Sequence, residues 1–294
     1  MKMEDVKDGE LKSLESKPVR ETRDVQSDEQ LVGMVQAMKQ KAPLQQEAIG
    51  ENSNYWEITG LPSKMRFYDP VMKILGRPLK VPEVKKISSM NEDNGDFVLN
   101  DIVRKATKNI NCDELYVADK LFIIFWLRAN TYRDSGFIVN YTCMNKECGK
   151  KITHHFEVDD LDVTYISDSF DPNKEFTLLS GIKIKYDYLR VKDEIFIEKF
   201  REINSEAIGE VDSELLSMAQ MIKTINGVEK TLLQKYHWMI EADPNDFAYL
   251  KSYIEKNGMG IKPYINVKCE HCGGTTPVGI SFRADFFIPD YKFE

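Results

Sequence analysis

The sequence predicts an α+β fold: a helix-rich body with short β-hairpins, a split four-cysteine module and a disordered N-terminal tail. Three observations predict it. Four of the five cysteines fall in two short pairs, Cys143 and Cys148 in YTCMNKECGKK and Cys269 and Cys272 in VKCEHCGGTT, and each pair lies between strand-like stretches. Between the pairs run segments with apolar residues at helical spacing. Ahead of everything, the first fifty residues contain no aromatic. Such a segment cannot bury enough apolar area to offset its ordering entropy.

In chain order, residues 1–53 form the tail, rich in Lys, Glu, Asp, Ser and Gln. One stretch within it, at about 28–40, places Leu31, Val35 and Met38, with Met34 beside them, at helical spacing behind Ser27 and Asp28 as caps. Two readings stay open for it: a transient helix in a disordered tail, or a helix that docks its apolar stripe in a partner's groove. The main domain spans 54–294. YWEITGLPSKMRFYDP opens it with aromatics and turn residues, and GRPLKVPEVKKISS reads as a short strand pair or an extended arm. Phe97 to Asn109 reads as a helix with Val98, Ile102, Val103 and Ala106 on one face. Asn111 to Glu114 has the form of a capping box that starts the next helix. That helix runs through Leu121–Leu127, apolar nearly all round, as a buried central element would be. Cys112 at its start reads as a buried or half-buried free thiol.

Phe137–Thr142 and Ile152–Val158 flank the first cysteine pair with β-rich sequence, and Ile265–Lys268 and Pro277–Phe282 flank the second. Phe176–Leu189 reads as a further hairpin turning at Ser180–Gly181. Four helices follow within a helical insertion at 190–257: Val191–Ile203, Asp212–Ile225, Val228–Ala242 and Phe247–Lys256, the last stopped by Asn257–Gly258.

Two hairpins with a cysteine knuckle at each tip, at 136–158 and 264–288, make a zinc-ribbon-like four-cysteine module once the tips meet. The expected metal ligands are therefore Cys143, Cys148, Cys269 and Cys272, and the expected cofactor is a structural zinc ion. His271, inside the second pair, reads as pointing outward, and His154 and His155 as alternating across a strand. The gap of 120 residues between Cys148 and Cys269 is far wider than a compact zinc module uses. It makes the site a clasp between distant parts of the chain. Closing so long a loop costs roughly 4 kcal/mol. Zinc on four thiolates contributes on the order of 10–16 kcal/mol in small peptides, so the metal offsets the closure with a margin.

Composition narrows the function. Net charge is -8 and the pI about 5.3, the wrong sign for a general phosphate binder. Lys146, Lys150, Lys151 and Lys268 gather near the knuckles, so a zinc-ribbon nucleic-acid module is kept as the less favoured reading. No apolar run approaches the ~20 residues that span a bilayer, and MKMEDVKDGELKS lacks the apolar core of a secretory signal. Five cysteines suit reduced, metal-binding thiols in a cytosolic compartment better than a disulfide framework. Four cysteines leave no open coordination position, and HExxH, P-loop and GxSxG motifs are absent, so the sequence does not read as an enzyme. His237, among aromatics in QKYHWMI, reads as a core histidine.

LPSKMRFYDP (61–70), ELYVADKLFIIFWLRANTY (114–132), the first knuckle with FEVDDLDV (156–163), FTLLSGIKIKYDYLRVKDE (176–194) and CEHCGGTTPVGISFRADFFIPD (269–290) follow one another in a fixed order. In that order they resemble successive motifs of the baseplate hub proteins of T-even-like, contractile-tailed bacteriophages. The resemblance covers roughly 59–290. The chain departs from it in a Cys-x4-Cys first knuckle, wider than the family's Cys-x-x-Cys, and in Ser281, where the family prefers proline. The resemblance implies a non-enzymatic structural component of the tail baseplate, present in the virion and in the host cytoplasm during assembly. Its implied partners are other baseplate and tail proteins, with no membrane, nucleic acid or small-molecule substrate. An assembly factor of the same family, not retained in the virion, is the alternative. Arg128 and Arg283 are the charged residues of two family motifs, with a role in internal geometry or in a contact with a neighbouring protein.

Overall fold

Short strands gather the ends of longer helices into three packed cores. The computed structural model of the chain describes residues 55–91, 94–133, 135–208, 211–262, 264–280 and 284–289. The tail and its stripe of Leu31, Val35 and Met38 lie outside the described residues, as does Arg283.

β1 (Trp56–Glu57), β2 (Leu75–Gly76) and β3 (Thr107–Lys108) form a small antiparallel sheet in that order. Gly76 is required there. A Cβ on it would come within 2.6 Å of the Trp126 ring and 2.8 Å of Ile58. Gly76→Ala is expected to cost about 1–3 kcal/mol through overpacking, read as a lower midpoint in thermal denaturation.

The stretch after β2 is helical, contrary to the strand pair or extended arm expected. α1 covers Val81–Ser88. Pro82 sits in the first turn, where a missing N–H costs nothing. Glu83 accepts from the Lys80 N–H at 2.7 Å and binds the Arg77 guanidinium with both oxygens, at 2.6 and 2.9 Å. α2 (Gly95–Ala106) stops short of Asn109, because Thr107 and Lys108 leave the helix to pair with β2.

The Asn111 side chain accepts the Asp113 N–H and caps a single 3-10 turn over Cys112–Glu114, which does not start the long helix; the Glu114 carboxylate binds Lys192 instead of closing a capping box. Leu115 and Tyr116 are drawn into an extended bridge. Val191 N–H donates to the Leu115 carbonyl, Val117 N–H to the Leu189 carbonyl, and the Tyr68 hydroxyl accepts the Tyr116 N–H. The central helix α3 begins only at Val117 and ends at Thr131. It is buried as expected, and it also buries charge. Asp119 accepts from the Ser63 N–H and the Tyr68 hydroxyl, and Lys120 reaches Glu194 at 2.6 Å. These bonds pin the 61–68 loop and the following helix to α3.

β4 (Phe137–Thr142) and β5 (Lys151–Phe156) form the first knuckle hairpin. β6 (Val163–Thr164) follows, then β7 (Phe176–Thr177) and β8 (Lys183–Tyr186) around Gly181 at φ +88°. The insertion contains α4 (Val191–Ile208) and α5 (Ser213–Met221), but not the continuous helix expected to Ile225. Ile222 opens β9 (Ile222–Ile225), which pairs with β8. Asn226 and Gly227, at φ +50° and +75°, turn the chain into β10 (Val228–Glu229). The resulting sheet has the order β10-β9-β8-β7. α6 (Leu232–Ile240) therefore starts later than expected, capped by the Thr231 hydroxyl. α7 (Pro244–Asn257) follows, and β11 (Gly260–Ile261) pairs with β6. β12 (Tyr264–Lys268) and β13 (Thr275–Gly279) make the second knuckle hairpin, followed by α8 (Ala284–Phe287).

The first core packs α2 and α3 around Ile102, Val103, Ile123 and Leu127. The second fills the insertion with Ile184, Phe200, Leu216 and Tyr236. The third lies between the knuckle hairpins: Phe137 and Phe156 from one, Ile265, Val267, Val278 and Ile280 from the other, closed by Phe125 of α3. Among the described residues no helix is long and apolar enough to cross a membrane.

Candidate metal centre

The third core decides where the cysteines go. Alternation along β4 and β12 turns Val139, Ile265 and Val267 inward, so both hairpins face the same apolar layer. Their tips then meet at one end of that layer. The Cys143 and Cys272 sulfurs lie 3.6 Å apart, those of Cys148 and Cys269 3.8 Å apart. All four Sγ atoms lie within 4.8 Å of one another. A tetrahedral ion with Zn–S bonds of about 2.3 Å holds its sulfurs about 3.8 Å apart. The donor set thus fits a tetrahedral thiophilic ion, and it leaves no position for water.

Each knuckle is shaped by its backbone. In the first, the Cys143 N–H donates to the Lys150 carbonyl, and the Cys148 and Gly149 N–H groups both donate to the Asn145 carbonyl. Gly149 takes φ +53°, which a glycine adopts without strain. In the second, the Cys269 N–H donates to the Gly274 carbonyl and the Gly273 N–H returns to Cys269, with Gly273 at φ +71°. Each cysteine pair is followed by glycine for that reason. The extra residues of the wider first knuckle are taken up by an Asx turn, in which the Asn145 side chain accepts the Glu147 N–H. A backbone donor also crosses between the knuckles, from the Met144 N–H to the Thr276 hydroxyl at 3.3 Å.

Cys143 and Cys269 are buried, Cys148 is half-buried and Cys272 exposed. Their ionisation is uneven. The Cys269 thiol is pulled down to about 7, first by the Cys272 N–H and then by the His271 N–H and neighbouring sulfurs, against its burial. Cys143 is pushed up to about 11: the Asn145 N–H favours its thiolate, but burial and the three other thiols outweigh that. Four thiols this close cannot all ionise without a counter-charge, and a cation supplies it.

The lysines near the tips take on a local meaning. Lys146, Lys150, Lys151 and Lys268 are all exposed. A divalent ion on four thiolates would carry a net charge of about −2, of the sign that neighbouring lysines would offset. Lys150 also meets the His271 ring at 3.3 Å. His271 is outside the thiol cluster, as are His154 and His155, which alternate between half-buried and exposed along β5. His237 is exposed on α6, which corrects the expectation of a core histidine; its neighbours Tyr236 and Met239 take the buried face. Cys112 is fully buried, with its thiol toward the Asn100 carbonyl. Burial pushes that thiol up to about 11, so it is a poor nucleophile.

Arg128 stands at the base of the two knuckle hairpins, 2% exposed. Its guanidinium donates to the carbonyls of Ser135 at 2.8 Å, Gly136 at 3.3 Å and Phe286 at 3.3 Å. It also lies 5.0 Å from the ring centroid of Phe137. One side chain thus ties α3, the start of the first hairpin and α8. Sequence alone marks Arg128 only as a motif arginine, and offers no signal for its three carbonyls. Thr276 and Asn145 are also site residues that no pattern singles out.

The family model described as T4 bacteriophage base plate protein matches residues 56–288. No curated protein matches, and no solved structure matches.

Proposed function

Because this chain belongs to the T4 bacteriophage base plate protein family, we propose that it is a non-enzymatic structural component of the baseplate hub of a contractile tail. In this reading it is held in shape by a four-cysteine zinc clasp formed by Cys143, Cys148, Cys269 and Cys272. The single observation that carries the reading is the extent of the match. It runs from β1 to α8 and includes both knuckle hairpins, the insertion and Arg128. The described residues therefore lie almost wholly within the one family match.

The thiol cluster supports a structural role and not a chemical one. A catalytic metal keeps an open position, whereas four sulfurs fill a tetrahedron. The proposed partners are other baseplate and tail proteins, and the proposed location is the virion tail, after folding in the host cytoplasm.

The test is quantitative mass spectrometry of purified phage particles. Recovery of the chain at a fixed stoichiometry with tail proteins is the expected result. Recovery only in assembly intermediates from the host would make it an assembly factor. Absence from both would overturn the reading.

A further inference from the structure

We propose that the same four cysteines form a cross-linking site, at which a peroxide joins Cys143 to Cys272 and Cys148 to Cys269, fastening the two hairpins covalently once the metal has left. The inference rests on the reading of the cluster as a metal clasp, and adds what becomes of it in an oxidising setting.

The pairing comes from the geometry. Two sulfur–sulfur contacts, at 3.6 and 3.8 Å, run between the hairpins, within a cluster whose members all lie within 4.8 Å of one another. Losing the ion does not remove what holds the hairpins face to face. The apolar layer of Phe137, Phe156, Ile265, Val267 and Val278 stays, and so does the Met144–Thr276 bond across the tips. The sulfurs therefore remain opposed when the cation no longer holds them.

Access sets the order. Cys272 is exposed and Cys148 half-buried, so each cross-hairpin pair has one member within reach of solvent and one buried member, Cys143 or Cys269. The reachable sulfur attacks the peroxide, breaks the O–O bond and becomes a sulfenic acid, with one water formed. The buried sulfur opposite then attacks that sulfur and displaces the hydroxyl as a second water. Each disulfide takes two electrons from two thiols and gives them to one peroxide. Two such events use all four cysteines. Cys112, buried in a different core, takes no part.

The outcome is a change of fastener without a change of fold. In a reducing cytoplasm the ion closes the clasp. In an oxidising medium that strips the ion, two disulfides close the same gap.

The experiment uses the full chain, zinc-loaded or stripped by a chelator under reducing conditions. Each sample is exposed to hydrogen peroxide, alkylated and mapped without reduction by mass spectrometry. The expected result is linked peptides Cys143–Cys272 and Cys148–Cys269 with Cys112 alkylated. The stripped, oxidised chain should melt close to the zinc-loaded one and above the stripped, reduced one. Linked pairs within a knuckle, Cys143–Cys148 and Cys269–Cys272, would overturn the proposal, as would sulfinic or sulfonic acids without cross-links. Zinc content of the loaded sample separates the two readings. A chain that binds no zinc but forms the cross-hairpin pairs refutes the clasp and keeps the cross-linking site. A chain that binds zinc but oxidises within its knuckles does the reverse.

Discussion

Cys269→Ser is expected to lower the thermal midpoint by about 10 °C. The replacement removes one of four sulfurs from a centre whose members lie within 4.8 Å of one another. A neutral hydroxyl is a poor ligand for a thiophilic ion, so metal affinity collapses. The roughly 4 kcal/mol needed to close a loop of this length is then no longer offset by the metal. For a domain of this size each kcal/mol moves the midpoint by about 2–4 °C. Cys269 is also the most buried of the four, at 1% exposure, so water cannot take the vacated ligand position cheaply. The check is calorimetry of wild type and variant, each with and without chelator. Chelator should lower the wild-type midpoint to near that of the variant and leave the variant almost unmoved. A variant that melts with the wild type would show that the hairpins need no metal.

Arg128→Ala is the second large effect, at about 3 kcal/mol or more. The guanidinium is the donor for three partly buried carbonyls, those of Ser135, Gly136 and Phe286. Removing it leaves them without that partner, and hydrogen bonds from a charged donor contribute about 1.5–3 kcal/mol. The aliphatic stem also leaves a gap beside Phe137. Arg128→Lys should recover only part of the loss, because an ammonium cannot reproduce the planar fork. The measurement is denaturant unfolding of both variants. If Arg128→Ala kept wild-type stability yet failed to join baseplate proteins in a pull-down, the arginine would be an interface residue.

How far this could be read from sequence differs by element. The knuckle hairpins are legible because their signals are local: β-rich runs, paired cysteines and a glycine after each pair. Their meeting across 120 residues is legible only through ligand chemistry, since no local pattern reports a contact that distant. The central helix is legible from its apolar run, but its start is not. The Asn111 cap is real, yet tertiary bonds pull Leu115 and Tyr116 out of the helix it would have begun. The same competition ends α5 at Met221. Leu215, Met218 and Ile222 keep helical spacing, but β8 offers Ile222 and its neighbours a strand to pair with. The one local sign against the long helix is Asn226–Gly227 between Ile225 and Val228. Such a pair, with both residues at positive φ, is the strongest short-range hairpin signal. In the 76–89 stretch the helix was not legible, because a proline in a helix's first turn looks the same in sequence as one that forbids the helix.

The central claim is that distant halves of the chain are joined by one metal ion on Cys143, Cys148, Cys269 and Cys272. X-ray absorption at the metal edge, on protein purified under reducing conditions with metal content measured in parallel, tests it most directly. The account predicts one zinc ion per chain with four sulfur neighbours at about 2.3 Å. A chain that carries no metal, or a zinc ion with nitrogen or oxygen among its ligands, would contradict it.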